Sequence, residues 1–391
     1  MLASTGVSAG TGLLFWVFAA LSVRPDALGV AAGLVAANAF LSYLTSFALP
    51  YAMLRYGSLT TGIAVNVCMV VSAASSVLAA VVFAGLAPFV SPTLAPHLRG
   101  IGDIALFAAA GTGAALSVLL DNLLAARRRA GAVLARNVAA GLLKLAPLGW
   151  LSAGDVRGVY LAVTLPALVT ALCVLAGLGW LVPGYSVFRV GVDPAVRELA
   201  GFAWRNYPGS LLSGAPQFAL PLLAVNVLGP FRNAFFFVAW SMAQIAYLVP
   251  SVISNISLSQ GTAASAGLLA ARSRRLAFAL LAPVVAGAVA VPSLFLRWYG
   301  GSYVEQAATP LRLLMLAAVP WTIVILVQSR LRTEHRFTAL TGLSAAFCGL
   351  SLGLPVGFGA VWYGDGMAAG WLLAVSAAAV CAYGFSRSRG V

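Results

Sequence analysis

The chain has 391 residues, of which 61% are hydrophobic and only 8% charged, with a formal net charge of +14. Soluble domains carry about 25% charged residues, so this composition predicts a polytopic membrane protein and excludes a sizeable soluble catalytic domain. The arginine excess is better explained by caps on the cytoplasmic ends of spans than by binding of nucleic acid. No nucleic-acid partner is therefore expected.

The apolar segments predict an all-α protein with twelve transmembrane helices. A spanning helix needs about 20 apolar residues, and the first segment lacks the basic residues of a signal peptide, so it is expected to be a retained span. The predicted spans are residues 8–23, 30–54, 60–88, 102–125, 131–151, 158–182, 202–228, 234–257, 276–296, 309–329, 338–359 and 366–385.

The basic residues predict the orientation of these spans. Six arginines fall on one side of the predicted membrane, and the opposite side, which holds both termini, carries 16. Since cytoplasmic loops are enriched in Arg and Lys, both termini are expected in the cytoplasm. The sixteen are Arg55, Arg127, Arg128, Arg129, Arg136, Arg189, Arg197, Arg205, Arg272, Arg274, Arg275, Arg330, Arg332, Arg336, Arg387 and Arg389.

The longest cytoplasmic connection divides the chain into two predicted lobes of six helices. The N-terminal lobe is 1–183, the connecting segment 184–201 and the C-terminal lobe 202–391. The connecting segment is either a short interfacial helix or an ordinary linker. The outer corners PDALG (25–29) and PFRNA (230–234) echo each other weakly. Two parallel halves would place a transport site at their shared interface.

The seventh predicted span begins with FAWRNYPGSLLSGAP (202–216), which combines a charge with several helix breakers. Gly209, Ser213 and Pro216 fall near Arg205 on a helical wheel. Prolines remove intrahelical hydrogen bonds and allow kinks. This span is therefore expected to bend and to direct Arg205 at something polar. The alternative is an arginine that snorkels from a helix end.

Two ionisable residues are predicted to lie within spans, where charge is expensive and usually functional. Lys144 is the only lysine, and Asn137 and Gly141 share its face. It is expected to contribute to a cavity or, alternatively, to pair with Asp121. The carboxylate of Asp121 is either a coupling-proton site or a counter-ion, and the second is favoured.

Polar stripes in helical register mark the second and eighth spans. Such stripes either line a cavity or join helices by hydrogen bonds, and the sequence leaves both readings open. Arg55 ends the second span and is either a cytoplasmic cap or the rim of a cavity. The stripes are Asn38, Ser42 and Thr45 in one span, and Trp240, Gln244, Tyr247 and Ser251 in the other.

Catalytic and metal-binding patterns are absent from the sequence. His97 and His335 lie in predicted loops, and there is no HExxH, cysteine pair or glycine-rich phosphate loop. The acids of the outer loops are scattered singly. The chain is therefore not expected to be an enzyme or to need a metal or cofactor.

Stretches along the whole chain resemble the polysaccharide-exporter branch of the multidrug/oligosaccharidyl-lipid/polysaccharide (MOP) flippase superfamily, the Wzx-like O-antigen and teichoic-acid flippases. These stretches are GTGLLFWVFAALSVRPDALGVAAGL (11–34), FALPYAMLRYG (47–57), LLDNLLAARRRAGAVLARN (119–137), FAWRNYPGSLLSGAPQFALPLLAVNVLGPFRNAFFFVAW (202–240) and YGGSYVEQAATPLRLLMLAAVP (299–320).

The resemblance implies two six-helix lobes in a V, a central cationic cavity and alternating access. In such flippases, the cavity accepts the pyrophosphate of an undecaprenyl-linked oligosaccharide, and the lipid tail stays in the bilayer. The residues here that match the cavity-lining helices are Arg55, Arg205, Asn206 and Gln244. Lys144 is a further candidate, because it is an ionisable residue within a predicted span. The first span lacks the internal arginine that some members carry.

The expected function is transfer of a lipid-linked oligosaccharide to the outer leaflet of a bacterial-type inner membrane. Membrane lipids and polysaccharide-assembly enzymes are the expected partners. A MATE-like exporter of small molecules is the first alternative, although acids are missing from the first and seventh spans, where a cation exporter would need them. A membrane-embedded glycan-processing enzyme is the second alternative.

Overall fold

The computed structural model describes residues 2–150, 155–182, 185–186, 191, 193–260 and 266–387. These residues form helices and connecting turns without a strand, which confirms the predicted all-α class. The helices are α1 (Leu2–Ser22), α2 (Pro25–Leu44), α3 (Leu49–Tyr56), α4 (Gly62–Val90), α5 (Ile101–Ala126), α6 (Ala130–Leu145), α7 (Val156–Ala176), α8 (Leu178–Leu181), α9 (Pro194–Gln260), α10 (Ala266–Ala290), α11 (Pro292–Leu296), α12 (Gly301–Thr333) and α13 (Phe337–Arg387).

Several of these helices are long and apolar enough to cross a bilayer. Within the described residues there are eight, or nine if residues 275–290 and 292–299, bent by 86°, form one span. The chain is therefore a multi-pass membrane protein, as its composition predicts. The count of twelve crossings and the cytoplasmic placement of the termini remain predictions.

The chain divides into two compact units. The first contains Met1–Phe15 and Leu34–Tyr207, and the second contains Trp16–Gly33 and Pro208–Val391. In the second unit, Asn233 donates a hydrogen bond to the carbonyl of Gly29 at 2.8 Å, and the carbonyl of Pro230 lies where a Cβ on Gly29 would be. The corners PDALG and PFRNA, which echo each other in sequence, thus pack together. The predicted lobe boundaries remain a prediction.

The second predicted span, 30–54, is wrong as a single helix. The chain leaves α2 at Leu44 and starts α3 at Leu49, and Phe47 and Ala48 between them have φ angles of 48° and 56°. Left-handed backbone is costly for a residue with a Cβ. Pro50 lies in the first turn of α3, where its missing N–H is tolerated. The proline therefore favours a new helix start over an unbroken span.

The seventh predicted span begins earlier than expected and is not broken by its prolines. Helix α9 starts at Pro194, so the end of the connecting segment 184–201 is continuous with it; residues 187–190 lie outside the described residues. Pro208 and Pro216 lie inside the helix, and the non-helical residue of α9 is Gly229, with φ at 75°. The break therefore separates the seventh and eighth predicted spans. Helix α13 has an equivalent break at Trp362 and Tyr363.

Two corners of the chain end their helices in the same way. Arg128 after α5 and His335 after α12 have φ angles of 58° and 56°. The N–H groups of the next residues, Arg129 and Arg336, donate to Leu124 and Leu331 at 2.8 and 2.9 Å. This six-to-one bond with a left-handed residue is a Schellman motif. The α5–α6 and α12–α13 hairpins therefore share the same backbone corner.

Candidate functional site

The break between α2 and α3 is held by the first turns of α9. The Tyr207 hydroxyl donates a hydrogen bond to the Leu44 carbonyl at 2.6 Å, and its ring centroid lies 5.5 Å from that of Phe47. Leu44 ends α2, so its carbonyl has no helical partner and needs one from elsewhere. Two stretches far apart in sequence, FALPYAMLRYG and FAWRNY, thus meet in the first unit.

Arg55 lies within this contact rather than at a bare helix end. Its guanidinium carbon is 5.8 Å from the ring centroid of Tyr56 and 5.9 Å from that of Phe202. The two rings pack edge to face with centroids 5.4 Å apart. Aromatic faces attract a guanidinium at such distances. Arg55 is therefore positioned, half-buried, beside the start of the segment that carries Arg205.

Arg127 fixes the neighbouring corner between α3 and α4. Its guanidinium donates a hydrogen bond to the carbonyl of Thr60 at 2.5 Å. Partial burial lowers the pKa of this side chain from its usual value, because burial disfavours the charged form. Arg127, the first of three consecutive arginines at 127–129, therefore joins the end of α5 to the corner that follows Arg55. It has a structural role in addition to any effect on orientation.

Arg205 and Asn206 are adjacent in α9 but have opposite environments. The Arg205 side chain is exposed, whereas Asn206 has an exposure of 0%. Among the described residues, neither the amide nitrogen nor the amide oxygen of Asn206 has a hydrogen-bond partner. A buried polar atom without a partner costs about 1–3 kcal/mol, and such atoms are uncommon enough to need an explanation.

An apolar groove adjoins this segment in the first unit. It has a volume of about 240 Å³ and is lined by residues of the α2–α3 break, α4 and the start of α9, among them Phe47, Val71 and Trp204. Trp204, immediately before Arg205, is 74% exposed. The segment 202–206 therefore carries an exposed arginine, a buried amide and one wall of an apolar groove, and Arg55 packs against its first residue, Phe202.

Lys144 lies within its predicted span but nearer to one end than to the middle. It is half-buried in the last turn of α6, and the candidate span Ala130–Gly149 continues beyond it through a short 3₁₀ segment. On the face that it was predicted to share, Asn137 donates to the Ser4 hydroxyl at 2.6 Å, and a Cβ on Gly141 would meet the Thr11 side chain. Much of that face therefore packs against α1.

Asp121 is a counter-ion, as the sequence favoured, but its partner is Arg136 instead of Lys144. Two guanidinium nitrogens of Arg136 donate to the two carboxylate oxygens at 2.8 and 2.5 Å. Arg136 is 7% exposed, although its position had counted as a cytoplasmic flank. The sequence does contain a signal for this ion pair. Arg136 falls inside the fifth predicted span, and Asp121 lies inside the fourth, on the other side of the α5–α6 corner.

The polar stripe of α2 joins helices. The Asn38 amide donates to the Phe107 carbonyl at 2.9 Å and to the Tyr160 hydroxyl at 2.6 Å, and the Ser42 hydroxyl donates to the Gly111 carbonyl at 3.2 Å. These bonds link α2 to α5 and α7 inside the first unit. Of the two readings that the sequence left open, the structure favours helix association for this stripe.

In the stripe after the Gly229 break, Trp240 and Tyr247 join helices, whereas the cavity role of Gln244 remains a prediction. The Tyr247 hydroxyl donates to the Leu314 carbonyl at 2.6 Å and accepts from the Trp371 indole at 3.0 Å, and Trp240 packs edge-on against Trp371. Gln244, between Trp240 and Tyr247, is half-buried, and its amide nitrogen has no partner among the described residues. Gln244 belongs to the second unit, whereas the other predicted site residues belong to the first.

Arg332 is a buried cation that the sequence argument missed. It had been counted as a cytoplasmic flank, but it is 2% exposed and donates to the Ser213 hydroxyl at 2.9 Å. A Cβ on Gly209 would meet Leu340 at 2.7 Å. Gly209 and Ser213, predicted to share the face of Arg205, therefore pack against α12 and α13 in the second unit.

Comparison with known proteins identifies the fold. No protein-family model matches the sequence, and no curated protein matches it significantly. Among solved structures, a multidrug resistance MATE family transporter of the MOP superfamily is similar in its inward-facing conformation (TM-score 0.64, 16% identity, 100% of this chain and 94% of that chain). An outward-facing structure of a multidrug resistance MATE family transporter is similar to the same degree (TM-score 0.64, 16% identity, 99% of this chain and 93% of that chain).

A third similar structure is a MOP superfamily transporter from Pyrococcus furiosus, with a TM-score of 0.61, 16% identity and coverage of 99% of this chain and 93% of that chain. That protein is described as having a binding pocket of reverse polarity, which suggests a different function. At these identities the likeness shows the fold alone. Over nearly its whole length, the chain has the fold of MATE transporters of the MOP superfamily.

Proposed function

We propose that the chain is a membrane transporter that works by alternating access, and that it is not an enzyme. The support is its fold, which is similar to the same degree to a MATE transporter in an inward-facing conformation and to one in an outward-facing conformation. Its breaks at Gly229 and Tyr363 divide the two longest helices. Such breaks are positions where a helix can change direction without losing its hydrogen bonds elsewhere.

The substrate that the site fits best is an undecaprenyl-pyrophosphate-linked oligosaccharide, moved from the cytoplasmic to the outer leaflet. The observation that carries this proposal is that Arg55 packs against Phe202, three residues before Arg205, while Trp204 of the same segment lines the apolar groove. A lipid-linked pyrophosphate needs a cationic contact for its head and an apolar surface for the start of its tail. Arginine holds phosphate through two parallel hydrogen bonds, which a lysine cannot offer.

The charge distribution supports an anionic cargo. Residues 202–260 contain no Asp or Glu but contain Arg205 and Arg232. A cytoplasm-negative potential of 100 mV favours outward movement of each uncompensated negative charge by about 2.3 kcal/mol. Pocket polarity also differs between transporters of this fold, as in the Pyrococcus furiosus protein. A cationic site on a MATE-like fold is therefore consistent with a substrate other than a cationic drug.

Asn206 and Gln244 act in this proposal as amides that gain partners during transport. Each has a buried side-chain atom without a partner in the described part of the chain. Such an atom raises the energy of one state and is satisfied when a substrate or a neighbouring helix supplies the missing group. Lys144 lies outside this contact and contributes positive potential from α6. Placement in a bacterial-type inner membrane and coupling to polysaccharide-assembly enzymes complete the proposal.

The test is flipping of a fluorescent undecaprenyl-pyrophosphoryl oligosaccharide in proteoliposomes, scored by access of an external probe to the sugar. Arg55→Ala and Arg205→Ala should each lower the rate about tenfold or more, because one charge-assisted contact is worth about 1.5–3 kcal/mol. Arg197→Ala is the matched control, since Arg197 is an exposed arginine of the same helix, eight positions earlier. Wild-type rates in both test variants, with normal folding, would contradict the proposal.

Export of small molecules is the second candidate, because the similar structures include a multidrug resistance MATE transporter. It makes a different prediction in the same proteoliposomes. Ethidium efflux that requires the protein and is insensitive to Arg205→Ala, together with no flipping of several lipid-linked glycans, would favour export of cations. Flipping without ethidium efflux would favour the lipid-linked substrate.

A further inference from the structure

A second pocket lies in the second unit, where three breaks and corners of the chain come together. It has a volume of about 240 Å³. Its lining residues come from the part of α9 just after Gly229, from the first turns of α12 and from the break in α13. Its polar and aromatic lining includes Arg232, Glu305, Gln306, Trp362, Tyr363 and Asp365.

The aromatic side of this pocket is exposed yet supported. Trp362 and Tyr363 are 60% and 49% exposed. Trp362 is stacked on Phe358 with ring centroids 5.4 Å apart, and the guanidinium carbon of Arg232 lies 3.6 Å from the centroid of the Tyr363 ring. Tyr363 also has a φ of 51° and a ψ of −133°, a conformation disfavoured for a residue with a Cβ. The two rings are therefore held in place at an energetic cost.

The polar side of the pocket offers both acceptors and donors. Glu305, Gln306 and Asp365 are exposed, and their carboxylates and carboxamide can accept hydrogen bonds, while Arg232 and Gln306 can donate them. Exposed rings could merely anchor a helix end at the membrane interface. Interface anchoring does not account for four hydrogen-bonding side chains from three segments around the same space.

We propose that this pocket binds a sugar unit, a further site that rests on the proposed function because the unit would belong to the transported glycan. A pyranose has an apolar C–H face, which stacks on an aromatic ring, and a rim of hydroxyls that both donate and accept hydrogen bonds. An organic cation fits less well, because the guanidinium of Arg232 at the pocket would repel it. A phosphate fits less well because Glu305 and Asp365 would repel it.

The orientation predicted from the arginine count would place this pocket at the outer face, with the corner that holds Arg232. There it would meet the glycan as it leaves the transporter, whereas Arg55 and Arg205 would engage the pyrophosphate from the cytoplasmic side. The pocket therefore deepens the proposed function with a sugar subsite separate from the cationic one.

The test measures binding of lipid-free sugars to the full-length protein in nanodiscs by saturation-transfer-difference NMR. The probes are maltose, cellobiose and N,N′-diacetylchitobiose, with tetraphenylphosphonium as a cationic probe. At least one disaccharide should receive saturation on its ring protons, and Trp362→Ala should reduce that signal at least fivefold. Trp298→Ala is the matched control, because Trp298 is 64% exposed and does not line the pocket.

A second variant tests the same site in case Trp362→Ala does not fold. Tyr363→Gly should keep or raise the unfolding temperature, because glycine accepts a positive φ, yet it should reduce the disaccharide signal about as much as Trp362→Ala. No transfer to any disaccharide, or equal loss in the Trp298 control, would overturn the sugar site. Saturation transfer to tetraphenylphosphonium but to no disaccharide, lost in Trp362→Ala, would assign the pocket to a cation. Flipping of lipid-linked glycan is measured separately, so its failure would count against the proposed function and not against binding here.

Discussion

Two buried asparagines of the first unit have opposite hydrogen-bonding circumstances. Asn38 donates from its amide nitrogen to a backbone carbonyl and to a tyrosine hydroxyl, whereas neither polar atom of Asn206 has a partner among the described residues. A satisfied buried amide joins helices, and an unsatisfied one stores energy that another state or a ligand can release. The first arrangement stabilises the fold, and the second is what a transport site needs.

We expect Asn206→Leu and Asn38→Leu to change stability in opposite ways. Leucine at 206 removes two unsatisfied atoms and should leave the protein as stable or more stable, with slower glycan flipping. Leucine at 38 leaves the buried Tyr160 hydroxyl without its donor and removes a second hydrogen bond to the Phe107 carbonyl, so it should cost about 1–3 kcal/mol. Thermal unfolding in one detergent measures both variants. Equal destabilisation would mean that Asn206 has a structural partner, which would remove it from the proposed site.

The ion pair between Asp121 and Arg136 shows which part of a site the sequence can predict. An acid within a predicted span and its role as a counter-ion follow from the cost of burying charge. The choice between Arg136 and Lys144 as partner depends on how α5 and α6 lie against each other after the Arg128 corner. Hydropathy carries no information on that geometry, so the role could be predicted and the partner could not.

At the scale of helices, the break between α2 and α3 has a strained backbone that side chains of α9 hold in place. Phe47 and Ala48 both adopt left-handed backbone, which costs about 1–2 kcal/mol for a residue with a Cβ. Tyr207 and Phe202 contact the two sides of this break. Backbone strain of this kind persists when surrounding contacts over-determine it and is often found at functional sites. The hydrophobic run predicts a single span here because strain leaves no trace in hydropathy.

Ala48→Gly should raise the thermal stability of the protein, whereas Ala36→Gly should lower it. Both alanines are buried, but only Ala48 is left-handed. Glycine relieves that strain at a smaller entropic cost in the unfolded chain, for a net gain of about 0.5–1 kcal/mol. In the middle of α2 the same change costs about 1 kcal/mol. A loss of stability in both variants would show that Ala48 does not hold a left-handed conformation.

For the whole molecule, the sequence predicts where helices lie better than what joins them. Among the described residues, the twelve predicted spans are largely helical, although 30–54 is broken between α2 and α3 and 276–296 between α10 and α11. The corners at Gly229 and Tyr363 coincide with predicted corners. Helix α9, with 67 residues, would be about 100 Å long if straight, which exceeds a hydrocarbon core of about 30 Å. The burial of Arg136 and Arg332 was not predicted. A count of charges near the ends of spans cannot distinguish an arginine that flanks a span from one that packs inside the protein.

The repeated corners bear on the orientation of the chain. Arg128 and His335 end α5 and α12 through the same pair of backbone bonds, and Asp121 and Gln328 occupy equivalent places before them. The equivalent places in the following helices are Asn137 and Ser344, and each bonds across its own hairpin. If the halves are parallel repeats, both corners lie on one side of the membrane. The arginine bias assigns that side to the cytoplasm, and it survives the transfer of Arg136 and Arg332 to the interior.

Single cysteines test this orientation in a variant without Cys68, Cys173, Cys348 and Cys381. The positions are Arg128 and His335 at the repeated corners and Pro92 at the opposite end of α4, all three exposed. A membrane-impermeant maleimide should label Pro92→Cys in intact cells and label Arg128→Cys and His335→Cys only after permeabilisation. Arg127 and Arg129 remain in place, so the positive bias of the corner is kept. Labelling of the two corners from opposite sides would refute a parallel repeat. Labelling of both in intact cells would invert the orientation and move the sugar-binding pocket to the cytoplasmic face.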